Sequence, residues 1–170
     1  MDYELIRSNR RTLALEVTRE GRVVLRAPYR ATQAQIDTFF TGRRQWLEES
    51  LAKVQAHRAA YPEPDAIQAA RLKAQALAIL PERVAYYGRR MGLNPTAITI
   101  TGAKTRFGSC SSQGHIAFSW RLMQYPPEAV DYVVVHELAH LVHHNHSGAF
   151  YSLVASVLPD HAQRAALLRY

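Results

Sequence analysis

The residues of this chain that are best suited to chemistry lie in one stretch, positions 136–146, which holds five of the eight histidines in the 170-residue sequence. His136 and His140 are four residues apart, so in an α-helix their imidazoles lie one turn above each other. Two neutral imidazoles placed in this way supply half of a tetrahedral zinc site, and a third protein ligand leaves one position for water. Glu137 directly follows the first histidine and completes the pattern H-E-x-x-H, in which the carboxylate serves the water and not the metal. The spacing therefore predicts a zinc hydrolase, and a peptidase within that class.

The third ligand is predicted by spacing and by elimination. No glutamate follows Glu137, and Asp160, the only later carboxylate, stands behind a proline at a helix end. His146 lies six residues after the second histidine, which is the ligand spacing of the metzincins. A true metzincin is disfavoured, because His143 replaces that pattern's glycine and no methionine follows position 123. We predict one Zn²⁺ ion and three ligands: His136, His140 and His146.

The sequence around these histidines predicts a helix that carries the first two of them. Pro126-Pro127 suits a first turn. Asn145 suggests a left-handed terminator, so we predict that the helix ends between His140 and His146. His143 and His144 are expected to be exposed or to support the ligands. Apolar residues at three-to-four spacing predict a buried stripe: Val130, Val134, Leu138, Leu141 and Val142.

Composition narrows the class of protein. The formal net charge is +7, but the basic residues are spread along the chain, which favours a solvated basic surface over a nucleic-acid site. The single cysteine, Cys110, excludes an intrachain disulfide and is expected to serve packing or a loop, not catalysis. The N-terminus shows no signal-peptide pattern, and no apolar run is long enough to span a membrane. We therefore expect a cytoplasmic protein without a membrane partner; the oligomeric state is not predicted.

Local patterns predict an α+β chain in two parts. Residues 11–30 alternate as a β-hairpin, and Thr32 caps a helix of roughly 25 residues in which Gly42 is a possible interruption and Trp46 faces inward. Residues 61–65 contain two prolines and predict a hinge. We predict an N-terminal hairpin-helix arm over 1–60 and a catalytic domain over 61–170, forming one compact unit.

The second part is predicted to build a small sheet next to the metal helix. Asp65 caps a helix that runs to about Tyr87, with Leu77 facing inward and Pro81 kinking or splitting it. Strands follow at 98–101 and 114–120, and the loop between them predicts an antiparallel pair. After the metal stretch, Phe150 to Leu158 predicts another amphipathic helix, and a short helix begins near His161.

Segments spread along the chain match the motifs of a known family: Thr12 to Val17, Val24 to Pro28, Trp46, Arg106 to Ser111, Ser119 to Leu122, Pro126 to Glu128, Asp131 to His140, Asn145 to Ser147 and Phe150-Tyr151. In these segments the chain resembles the YgjP-like metallopeptidase family, whose members are related to the SprT-like proteins. Phe107 stands where the family usually has tryptophan. The resemblance implies a zincin-like α+β fold with His136, His140 and His146 as ligands and Glu137 as the catalytic acid/base.

The expected reaction is metal-assisted hydrolysis of a peptide or protein substrate. Zinc lowers the pKa of its water towards about 7, and Glu137 takes the proton as hydroxide attacks the carbonyl. The oxyanion needs a further donor, for which Tyr151, Arg106 and Tyr125 are candidates. Two alternatives stay open at this stage: a DNA-associated SprT-like protein with a structural zinc, and a metal-dependent hydrolase of small amides.

Overall fold

The computed structural model describes residues 2–169, in which six α-helices, one 3-10 helix and two three-stranded sheets form an α+β fold. The predicted fold class is confirmed at this level. The chain divides into two compact units, one ending at Pro62 and one spanning Glu63–Arg169. The predicted arm over 1–60 and catalytic domain over 61–170, forming one compact unit, stay a prediction. The elements are β1 (Glu4–Ser8), β2 (Ala14–Val17), β3 (Val23–Pro28), α1 (Gln33–Thr41), α2 (Arg44–Ala60), α3 (Ala66–Met91), β4 (Ala97–Thr101), β5 (Gly108–Cys110), β6 (His115–Ser119), a 3-10 helix (Trp120–Gln124), α4 (Pro127–Ala139), α5 (Gly148–Val157) and α6 (His161–Ala166).

The first unit contains the predicted hairpin and one strand that the sequence did not reveal. β2 and β3 pair antiparallel, with Leu15 opposite Leu25, as predicted. β1 adds to the other side of β3 in parallel, so the strand order is β1-β3-β2. Gly21 lies in the turn with φ +81°, a conformation that favours glycine. Leu25, Ala27 and Ile36 form the buried cluster of this unit.

The long helix predicted for the first unit is interrupted at Gly42. Thr32 caps α1 with a complete capping box, and the helix ends at Gly42 before α2 begins. Within α2, Leu47 and Val54 are the buried residues. The expectation that Trp46 faces inward is wrong, since its side chain is 41% exposed.

Helix α3 begins the second unit and continues through its proline. Asp65 caps it with a complete capping box, and Gly92 ends it in the left-handed conformation with φ +67°. Pro81 does not split the helix. A proline deprives the carbonyl four residues earlier of its partner, here that of Leu77. The predicted inward position of Leu77 is wrong, because the residue is 55% exposed and this side of the helix faces water.

A charged network joins α3 to α4, the helix that carries the first histidine. Arg83 donates two hydrogen bonds to the Asp131 carboxylate, at 2.7 and 2.6 Å, and the Tyr87 hydroxyl donates a third at 2.9 Å. Burial, and then the hydrogen bond to Asp131, raise the pKa of Tyr87. Because Asp131 lies five residues before His136, this network orients the helix that presents the histidine pair.

The second sheet corrects the predicted antiparallel arrangement. Its order is β4-β6-β5, and β4 runs parallel to β6 with Ile98 opposite Ile116. The short strand β5 pairs antiparallel with the other edge of β6, placing Ser109 opposite Ala117. The prediction is wrong because residues 108–110 form a strand of their own inside the segment that was taken as a simple connection. This intervening strand lets the chain reverse twice, so β4 and β6 point the same way.

Helix α4 is almost entirely buried among the other elements of its unit. Pro127 occupies its first turn, as predicted. Val134, Val135 and Leu138 have no solvent exposure. Val142 was predicted to share the buried stripe, but it lies beyond the helix and is 50% exposed. Among residues 2–169, none of the helices combines the length and the apolar character that crossing a membrane requires.

Candidate metal centre

The end of α4 allows the chain to turn back immediately after the histidine pair. The helix ends at Ala139, and His140 keeps right-handed helical angles of φ −66° and ψ −17°, so the pair remains in helical phase. The amide of His143 donates to the carbonyl of Ala139 at 3.0 Å within the tight turn that follows. The prediction that Asn145 is left-handed is wrong, since no residue other than glycine has positive φ in the described part of the chain. The chain therefore reverses here without a residue in the left-handed conformation.

Three imidazoles converge where the sequence predicted a metal. The Nε2 atom of His136 lies 3.2 Å from Nε2 of His140 and 3.1 Å from Nε2 of His146. Together the three side chains form a group able to hold one metal ion, with all ligand atoms within 4.8 Å of one another. Two nitrogens held about 2.0–2.1 Å from one tetrahedral ion are roughly 3.3 Å apart. The donor set and its spacing therefore fit zinc.

The other ring nitrogens of the helical pair have partners that fix the orientation of the rings. Nδ1 of His140 lies 2.9 Å from the carbonyl oxygen of His143. A carbonyl only accepts, so this nitrogen carries the proton and Nε2 presents its lone pair. Nδ1 of His136 lies 3.3 Å from the Tyr132 hydroxyl. His143 thus contributes its main chain, not its imidazole, to the histidine group.

A phenylalanine forms the floor of the histidine group, which sequence reasoning missed. The ring centroid of Phe150 lies 4.9 Å from that of His136, 4.7 Å from that of His140 and 5.0 Å from that of His146. Phe150 has no solvent exposure. The Ser147 hydroxyl caps α5 by accepting from the Phe150 amide at 3.4 Å, which fixes the first turn of that helix. The sequence marked Phe150 only as part of an apolar helix face.

The charge states of the site suit metal binding. Burial, and then the neighbouring His140 and His146, lower the pKa of His136 to about 4, so its imidazole is neutral near pH 7. Neutral imidazole is the form that binds a metal. Burial raises the pKa of Glu137 to about 7, and the charge of Arg106 opposes that shift. Glu137 is 6% exposed, and its Oε2 has no hydrogen-bond partner among residues 2–169.

Comparison with known proteins assigns the family. The family model of the YgjP-like metallopeptidase domain matches residues 11–72 and 65–170. This chain belongs to the YgjP-like metallopeptidase family. The predicted resemblance is confirmed, and this YgjP-like chain is a hydrolytic enzyme with a metallopeptidase domain.

A solved structure gives a more distant likeness. The metallopeptidase zymogen of Pyrococcus abyssi abylysin is 23% identical, with a TM-score of 0.46, over 50% of this YgjP-like chain and 86% of that chain. Among curated proteins there is no significant match.

The three predicted oxyanion donors of this YgjP-like chain lie in different surroundings. The ring of Tyr151 stacks between His146, at 6.2 Å and 29°, and His161, at 5.8 Å and 25°. Arg106 acts on the carboxyl of Glu137 through its charge. Tyr125 instead packs edge-on against Phe107 at 4.9 Å. Tyr151 is therefore in ring contact with one of the three histidines. Its second ring contact, with His161, was not predicted from the sequence.

The surroundings of Cys110 do not favour a nucleophilic role, and its predicted place in packing or a loop stays a prediction. Burial, and then the charge of Glu137, raise the pKa of its thiol. A protonated thiol is a poor nucleophile. Its Sγ donates to the carbonyl of Ser111 at 3.5 Å within the end of β5.

Proposed function

We propose that this protein is a zinc-dependent peptidase in which His136, His140 and His146 bind one Zn²⁺ ion and Glu137 is the general base. The observation that supports this proposal most directly is the approach of two ring nitrogens to Nε2 of His136, at 3.1 and 3.2 Å. A ring nitrogen either donates one hydrogen or accepts through one lone pair. Hydrogen bonds alone therefore do not account for both short distances to Nε2 of His136, whereas one cation shared by the three ring nitrogens does.

The donor set favours zinc over other ions. Imidazole suits zinc, copper, iron and nickel, while magnesium and calcium prefer oxygen ligands. Three histidines with a fourth position left open form one of the known catalytic zinc arrangements. The orphaned Oε2 of Glu137 supports a role for the carboxylate outside the ligand set. A zincin-like arrangement, with the histidine pair on one helix and the third ligand after a turn, belongs to this proposal.

When bound, zinc would polarise a substrate carbonyl and lower the pKa of water towards about 7. Glu137 supplies the proton chemistry: its carboxylate accepts a proton from water as the water adds to the peptide carbonyl, and returns the proton to the departing amine. Burial favours uptake of that proton, because it raises the pKa of the Glu137 carboxyl. The Tyr132 hydroxyl and the His143 carbonyl hold the imidazoles in place during the exchange.

Peptide or protein substrates are the class that the family supports. The described residues offer no observation that favours either a DNA-associated role or the hydrolysis of small amides. A cytoplasmic location, favoured by the single cysteine, is also part of the proposal.

Removal of the metal gives the direct test. We expect elemental analysis to find one zinc per chain, and hydrolysis of casein or peptides to stop after treatment with a chelator. Added zinc should restore activity, because the buried helix α4 and the short turn after it keep the three histidines in place without the ion. Hydrolysis that continues in fully metal-free protein would contradict the proposal, and so would activity on small amides alone.

A phenylalanine substitution tests which side chain stabilises the oxyanion. We expect Tyr151→Phe to lower kcat by about 10²-fold, because it removes one donor while the ring stacking on His146 and His161 is retained. KM and zinc content should not change. Tyr125→Phe is the matched control, since that ring packs on Phe107. Equal losses of kcat in both variants would contradict the assignment of Tyr151 as the oxyanion donor.

A further inference from the structure

Strand β5 approaches Glu137 so closely at Gly108 that no side chain fits between them. A Cβ atom added to Gly108 would lie 2.5 Å from Oε1, 2.6 Å from Cγ and 2.8 Å from Cδ of Glu137. Real Cβ atoms essentially never make contacts under 3.0 Å. Backbone conformation is not the reason for a glycine here, because in the described chain only Gly21, Gly92 and Gly114 have positive φ. What position 108 requires is space.

The strand cannot move away to make room. Gly108 pairs with Phe118 of β6, whose side chain has no solvent exposure. The amide of Ser119 donates to the carbonyl of Phe107 at 2.8 Å, which ties the residue before the glycine to the same strand. Its pairing with the buried strand β6 therefore holds β5 in place, while the Glu137 side chain lies directly against Gly108.

The helix on the other side is equally fixed. Val134 and Leu138, on the same helix as Glu137, are fully buried. Asp131 joins the same helix to α3 through Arg83 and Tyr87. Only the Glu137 side chain itself is free to respond to an added Cβ, by rotating away from β5.

We infer that Gly108 is a positioning residue for the proposed general base, because its missing side chain lets the backbone of β5 set where the Glu137 carboxylate lies. This inference rests on the proposed function, since it gives the position of the carboxylate a catalytic meaning. The three nearest atoms that a Cβ at Gly108 would meet all belong to Glu137, so the glycine acts only through that side chain. Misplacement of a catalytic group by about 1 Å costs on the order of 10²-fold in rate.

The test is Gly108→Ala in the zinc-loaded enzyme. We expect kcat to fall by about 100-fold at unchanged KM, with zinc content and the visible spectrum of the cobalt-substituted protein retained. Gly148→Ala is the matched control: that glycine has nothing within 4 Å of an added Cβ, and it lies in the first turn of a helix. The control should keep full activity.

A double substitution separates a positioning role from a merely structural one. In a Glu137→Gln background, Gly108→Ala should have almost no further effect on kcat, because the group through which it acts is already gone. Additive losses would overturn the inference. A crystal structure of Gly108→Ala provides a readout without activity: it should show the carboxylate displaced and the three imidazoles in place. A shifted β5 with an unmoved carboxylate would also overturn the inference.

Loss of the proposed general base and loss of the positioning role give different results with these variants. If Glu137→Gln retains activity, the proposed general base is wrong. If Glu137→Gln is inactive while Gly108→Ala matches the wild type, only the positioning role of Gly108 is wrong.

Discussion

Replacing Glu137 with glutamine is expected to lower kcat by about 10²–10⁴-fold while the zinc content stays at the wild-type level. Glutamine preserves the size of the side chain that packs against Gly108, but it cannot accept a proton from water. The three nitrogens that form the proposed ligand set belong to His136, His140 and His146, and the substitution leaves them untouched. Steady-state peptide hydrolysis and elemental analysis of the same preparation measure the two quantities together.

Glu128→Gln provides the matched control for this substitution. Glu128 lies in the first turn of the same helix and is exposed, so its loss removes only a favourable interaction with the helix dipole. The control should retain wild-type kcat. A Glu137→Gln enzyme that loses its zinc would instead identify the carboxylate as a ligand, and one with wild-type kcat would exclude it as the general base.

The histidine group is the part of the site that the sequence predicts best. Helical phase places residues 136 and 140 on one face regardless of the rest of the fold, and the turn after the helix is short enough to return His146 to the same point. The structure brings these three side chains together as predicted. Their service as zinc ligands stays a prediction, although the local geometry is as expected.

What the sequence did not reveal depends on contacts between distant segments. Phe150 contacts all three imidazoles only because Ser147 starts a helix directly after the third one. Gly108 has no local signature, since the need for space there arises from a helix almost thirty residues later. Sequence patterns show which residues are apolar or flexible, but not which atoms they will meet.

The sheets illustrate the same limit. Strand β5 is three residues long and contains no large apolar side chain, so hydrophobic alternation did not reveal it. Without it, the loop between β4 and β6 suggested a hairpin, and the pairing was predicted with the wrong direction. The helix caps at Thr32 and Asp65 were predicted correctly, because capping depends on residues that are adjacent in sequence.

Replacing His136 with alanine is expected to weaken zinc binding by roughly 10²–10³-fold and to abolish peptide hydrolysis. Structural zinc sites bind with about 10–16 kcal/mol, which is roughly 2.5–4 kcal/mol for each of four ligands, and about 1.4 kcal/mol corresponds to tenfold in affinity. Nε2 of His136 lies 3.2 Å from Nε2 of His140 and 3.1 Å from Nε2 of His146. The substitution therefore removes the central nitrogen of the proposed ligand set. Competition with a chromophoric chelator measures the affinity.

His143→Ala is the control that makes this result specific. It removes an imidazole from the same turn but keeps the main-chain carbonyl that accepts from Nδ1 of His140 at 2.9 Å. Zinc affinity and hydrolysis should therefore stay close to the wild type, because the contribution of His143 to the site comes from its backbone. If His143→Ala weakens zinc binding as much as His136→Ala does, the ion is bound by a different set of histidines from the one that converges in the structure.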